Sequence, residues 1–216
     1  MAGSTYQLLL MIAFWLLAGA AFAERDTKVD VRGDAENGKN LYAPCVACHG
    51  AQGEGNPALN SPALGGQDGA YLSRQLEQFR SGSRGSDPAD TYGAQMRAMA
   101  ATLSAETAVA DVVAYISTFP AVSSAAGGVA NRNGENQYNA ACGACHGSRA
   151  EGNLRLNAPR LAGLTGDYLR RQYQNYASGL RGSDPADTYG RQMQMMSSML
   201  ASEQDLDDVI NFILAQ

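Results

Sequence analysis

One pentapeptide, Cys-x-x-Cys-His, is written twice in this chain, as Cys45-Val46-Ala47-Cys48-His49 and as Cys142-Gly143-Ala144-Cys145-His146. No other feature constrains the fold as tightly. On one helical turn, two thiols three residues apart reach two vinyl groups of the same porphyrin, and the adjacent imidazole meets its iron. A chain carrying such a site has to wrap helices around a large, flat, apolar group. Three other readings compete. The run can be part of a zinc site, a thioredoxin-like redox pair, or chance; the redox pair needs a strand–helix setting that this sequence lacks. Recurrence of the full run, histidine included, favours two covalently bound haem c groups. All four cysteines lie in the two runs, which leaves none for a disulfide.

The spacing of the runs is also informative. His146 follows His49 by 97 residues (146 − 49), and the same offset carries Pro62 onto Pro159, Tyr71 onto Tyr168, Gln75 onto Gln172 and Met96 onto Met193. It also superimposes the identical octapeptides Ser86–Gly93 and Ser183–Gly190; only ahead of the pentapeptide does the register slip. This is a tandem duplication of one domain, not a solenoid, because each unit is far longer than a solenoid repeat and has its own cofactor. At this size a protein core alone stabilises weakly, and a bound haem would act as the staple.

Helical periodicity recurs and strand alternation does not. A short helix is expected within Gly33–Tyr42, a second at Tyr71–Arg80 with Gly82 ending it, and a third opening at Ser104 as N-cap with Val109, Val112, Val113 and Ile116 on its apolar face. Its counterpart carries Leu206, Val209, Ile210 and Ile213, with Ser202 as the candidate cap because Ala201 replaces the serine. Gly50–Gly66 and Ser83–Gly93 read as irregular loops. The expected fold is all-α, with two tandem domains at 24–120 and 131–216, each a small helical fold around a covalently bound haem, and a small-residue linker at 121–130.

Residues 8–23 are apolar and end in Ala21-Phe22-Ala23, so 1–23 reads as a secretory signal and the destination as the periplasm; a retained N-terminal anchor is the alternative. The net charge of −5 argues against nucleic acid as a partner.

The sixth iron ligand follows partly from counting. The two histidines of the chain, His49 and His146, are both spent on the proximal side, so bis-histidine ligation is excluded. Lys28 and Lys39 lie outside the repeat. Methionine or an open position remains, and both Met96/Met193 and Met99/Met196 obey the repeat. Most methionines in such a chain fill space. Arg84 and Arg181 suit haem propionates, which guanidinium groups bind bidentately, and a solvated loop position is the other reading.

Taken together, the tandem pentapeptides, the loops Pro62-Ala63-Leu64-Gly65-Gly66 and Pro159-Arg160-Leu161-Ala162-Gly163, and the helices opening Tyr71-Leu72 and Tyr168-Leu169 with Gln75 and Gln172 resemble the di-haem cytochrome c4 family. The resemblance covers essentially the whole chain after the signal and implies that each repeat is a class I cytochrome c domain. It implies that the axial methionines are Met96 and Met193, each seven residues before Leu103 or Leu200 (103 − 96, 200 − 193). It further implies that the carbonyls of Pro62 and Pro159 hold the proximal imidazoles. The function implied is electron transfer, not catalysis. The redox partners expected are a cytochrome bc-type donor and a terminal oxidase, or a dehydrogenase of which the chain is a subunit. A di-haem peroxidase is the reading from a different class; it needs one open iron. Any membrane association would run through partners or an uncleaved N-terminus.

Overall fold

A computed structural model describes residues 33–123 and 127–216; the expected signal segment lies outside them. The helices of the first repeat are α1 (Ala35–Tyr42), α2 (Val46–His49), α3 (Gly69–Ser81), α4 (Thr91–Ala100) and α5 (Ala108–Ile116). Those of the second are α6 (Arg132–Ala141), α7 (Gly143–His146), α8 (Gly166–Ala177), α9 (Thr188–Met196) and α10 (Glu203–Leu214). Among the described residues the only β pairing is an isolated bridge in each repeat, Asn56 with Ser61 and Asn153 with Ala158. Each bridge closes a loop around a single 3-10 turn, Pro57–Leu59 or Leu154–Leu156, so the expected irregular loop holds one turn of structure. The protein is all-α.

Most of the helix starts have a chemical cause. Asp34 accepts from the backbone of Glu36 and Asn37, Asp68 from Tyr71, and Thr165 from Tyr168. Such caps satisfy N–H groups that the helix cannot pair itself. The duplicated octapeptide does the same work: Asp90 and Asp187 cap α4 and α9 by accepting from Gly93 and Gly190. The loop expected to run to Gly93 therefore ends at Asp90, because its last three residues are the first turn of a capped helix. Ser202 caps α10 by accepting from the Asp205 N–H, but Ser104 does not cap α5. That helix starts after Thr107, whose hydroxyl instead donates to Asp111 at 2.9 Å.

The expected apolar faces are buried. Val109, Val112, Val113 and Ile116 are 4%, 1%, 0% and 4% exposed and pack with Tyr42, Leu72 and Leu103. Helices α1 and α5 cross so closely that a Cβ on Gly38 would lie 1.9 Å from the Asp111 carbonyl oxygen, and Gly134 meets Asp208 in the same way at 2.1 Å. The crossing is bolted by carboxylates. Asp111 accepts from the Asp34 N–H (2.8 Å), Asn37 (2.7 Å) and Thr107, while Asp208 accepts from Asn131 (2.8 Å), Asn133 (2.7 Å) and Gln204 (2.9 Å).

These donors hold both carboxyls below the usual carboxylate range, the Asp34 N–H acting most strongly on Asp111 and the Asn133 amide on Asp208. Their stabilisation is thus complete above the unfolded value of about 3.9 and disappears as pH falls through the lower native value. Thermal melts in acid should show this. Asp111→Asn and Asp208→Asn will melt lower at neutral pH, with a shallower loss of melting temperature below pH 4. A parent-like acid slope in both variants would remove the carboxylates from the account.

Candidate haem sites and the seam between the repeats

The pentapeptide forms the turn that its chemistry requires. Cys45 closes a 3-10 turn, Val46–His49 forms one helical turn, and Gly50 leaves it at φ +82°, a left-handed conformation suited to glycine. Tyr42, 1% exposed at the end of α1, donates its hydroxyl to the Gly50 carbonyl at 2.8 Å and so ties the first helix to the site. Tyr138 does the same to Gly147 at 2.7 Å.

His49 and His146 are buried, and their Nδ1 atoms lie 2.9 Å from the carbonyl oxygens of Pro62 and Pro159. Since the carbonyl only accepts, Nδ1 carries the proton and Nε2 keeps its lone pair. Burial also pushes both imidazoles below their ordinary pKa, which preserves the neutral, ligating form. Across the first pocket, the Met96 Sδ faces His49 Nε2 at 3.5 Å. Met96 and Met193 are half-buried on α4 and α9, whereas Met99 and Met196 are exposed. The donor set present (paired sulfurs on one turn, a neutral imidazole, a facing thioether) fits a covalently held haem.

Arg84 and Arg181 are not solvated loop residues. They are 8% and 5% exposed and close a ring across the junction of the repeats. The Gln75 Oε1 accepts from Arg84 (2.5 Å) and Arg181 (2.7 Å), and the Gln172 Oε1 accepts from the same two at 3.0 and 2.8 Å. Arg84 stacks on Phe79 and Arg181 on Tyr176. The Nε of each guanidinium is buried without a hydrogen-bond partner. Haem propionates supply the acceptors that such donors want, so the cofactor fits here too.

The ring is flanked by a second, reciprocal pair that sequence reasoning missed. Arg74 donates to the Asn157 side chain and carbonyl at 3.2 and 3.0 Å and lies over Tyr189. Arg171 donates to Asn60 at 3.1 and 2.8 Å and lies over Tyr92. Asn60 and Asn157 each donate to the tyrosine of their own repeat, Tyr92 and Tyr189. Every partner obeys the 97-residue offset. That a loop Asn, a helix Arg and a capping-motif Tyr all recur was visible in the sequence, but nothing there paired them crosswise.

A family model described as Cytochrome c matches residues 35–120 and again 132–216. A cytochrome c4 of Azotobacter vinelandii is 31% identical over 162 residues, spanning 70% of this chain and 76% of that protein. The chain belongs to the di-haem cytochrome c4 family. A thiosulfate dehydrogenase electron acceptor of Stutzerimonas stutzeri is 32% identical over 197 residues, covering 85% of this chain and 88% of the relative. The crystal structure of reduced recombinant cytochrome c4 from Pseudomonas stutzeri aligns with a TM-score of 0.69 at 28% identity, over 85% of this chain and 98% of that one. As a di-haem cytochrome c4-like electron carrier, the chain bears two covalent haem c groups, attached at Cys45/Cys48 and Cys142/Cys145. Its partners are therefore redox proteins. Among the described residues no helix is long and apolar enough to cross a membrane.

Proposed function

We propose that this cytochrome moves electrons one at a time in the periplasm through two haem irons, which His49 with Met96 and His146 with Met193 would hold. The observation that carries the reading is the Met96 thioether poised opposite the His49 lone pair. Bound haem supplies a one-electron ferric–ferrous couple. The residues of the chain do the rest. The carbonyls of Pro62 and Pro159 hold each imidazole in a fixed tautomer and orientation. A soft thioether on the far side favours ferrous iron and raises the potential. With Met96 and Met193 on helices capped by Asp90 and Asp187, and the imidazoles held by the proline carbonyls, the ligands would stay in place in both oxidation states, which keeps reorganisation small. Domain boundaries at 24–120 and 131–216, joined by the 121–130 linker, belong to the same reading.

Optical spectra of the purified protein, oxidised and reduced, with haem counted per chain, test it. Two haems, a low-spin reduced spectrum and a methionine–ferric charge-transfer band are expected. A high-spin component, or rapid carbon monoxide binding, would mean an open iron and restore the peroxidase reading.

The donor is a dehydrogenase on a second reading, favoured by the relative named as a thiosulfate dehydrogenase electron acceptor; a cytochrome bc complex and a terminal oxidase are the alternatives. Stopped-flow mixing of the oxidised protein with thiosulfate dehydrogenase and thiosulfate separates them, since no haem reduction on the enzyme's turnover timescale removes the dehydrogenase.

A further inference from the structure

The two repeats diverge sharply at one surface. Where the first has Ala98, Met99 and Thr102, the second has Met195, Met196 and Met199, and all three of these residues are exposed, at 67%, 37% and 58%. Methionine is ordinarily among the more buried residues. The fold does not demand these three, because the first repeat builds the same turn with alanine and threonine at two of the positions.

The three methionines fall within one five-residue stretch, 195–199, at the end of α9. Helix α9 ends at Met196 with Ser197 still helical, and the Met199 N–H closes a tight turn onto the Met196 carbonyl at 3.1 Å. In a turn of that kind residues three apart eclipse, which sets Met196 beside Met199, while Met195 precedes Met196 on the last turn of the helix. The hydroxyls between them are occupied: Ser197 donates to the Gln194 carbonyl at 2.7 Å and Ser198 to the Met195 carbonyl at 2.9 Å. The exposed side chains left uncommitted on the turn are methionines.

Such a donor set is soft. It suits neither magnesium, calcium nor zinc, whose preferred ligands are carboxylate, carbonyl, imidazole or thiolate, and it selects cuprous copper. We infer that Met195, Met196 and Met199 form a surface site for Cu(I), confined to the second repeat and separate from the axial position assigned to Met193.

Equilibrium dialysis of the ascorbate-reduced holo-protein against chelator-buffered Cu(I), without oxygen, tests the inference, with copper per chain counted by elemental analysis. Keeping the irons ferrous prevents them from oxidising the metal. One extra copper per chain is expected, with the reduced haem spectrum unchanged. Met195→Leu and Met199→Leu should each weaken binding at least tenfold, and the double variant should lose it; Met99→Leu should have no effect. Leucine keeps the apolar volume, so a patch serving only protein docking would pass unaltered through these substitutions. No copper uptake, or full uptake by the double variant, overturns the site. Uptake accompanied by loss of the low-spin spectrum also overturns it, because the copper would then be drawing on the iron's own thioether; that result would leave the electron-carrier reading standing.

Discussion

Met96→Ala will strip the distal ligand from the first haem and leave the second intact. Half of the methionine–ferric charge-transfer absorbance will disappear, and the affected iron will become high-spin or bind carbon monoxide when reduced. Its potential will fall by a sizeable part of the roughly 0.8 V that axial ligation spans, since the thioether that favours ferrous iron is gone. Met193→Ala is the mirror experiment. Met99→Ala and Met196→Ala are the controls, because these side chains are exposed while Met96 Sδ lies 3.5 Å from His49 Nε2. Loss of the band in a control, with retention in Met96→Ala, would move the ligand by one helical turn and sink the assignment.

The second large effect belongs to the seam. Arg84→Gln removes one buried positive charge and breaks two hydrogen bonds at once, one to Gln75 in its own repeat and one to Gln172 in the other. Hydrogen bonds to charged groups contribute about 1.5–3 kcal/mol each, so a clear fall in melting temperature is expected. The electrochemical signature is more specific. A cation near an iron disfavours its ferric state, so removing the cation lowers the potential; because the guanidinium is held by both repeats, both potentials should fall. Burial at 8% exposure limits screening, and the shift should persist at high salt. A redox titration in which only the first haem responds would show that the ring does not couple the two sites electrostatically.

How these features could be read from the sequence differs in kind. The pentapeptides, the 97-residue offset and the helical faces are local or periodic signals, and each has one physical meaning, so the fold class and the haem attachment were legible. Capping was partly so: Ser202 was visible as a replacement for the missing serine, while Ser104 misled because Asp111 draws the neighbouring Thr107 hydroxyl and delays the helix. The two candidate methionine pairs are separable in the sequence only by resemblance, because both obey the 97-residue repeat. The seam was not legible. Arg84 carried the right chemistry for a propionate, but its bond to Gln172 spans 88 residues and no local pattern encodes such a partner. Asp111 lies on an otherwise apolar helix, and no local pattern in the sequence shows that α1 crosses it.

The reciprocity of the seam has an evolutionary consequence. Arg74 grips Asn157 as Arg171 grips Asn60, and each glutamine of the ring serves an arginine from either side. Such a surface reads the same from both halves, as in a symmetric dimer whose two genes have been joined. Residues on the axis are then held by a partner that is a copy of themselves, and neither copy can drift alone. Positions away from the axis escape that bargain. The exposed methionines at 195 and 199, with alanine and threonine at the matching positions of the first repeat, mark where the twins have diverged.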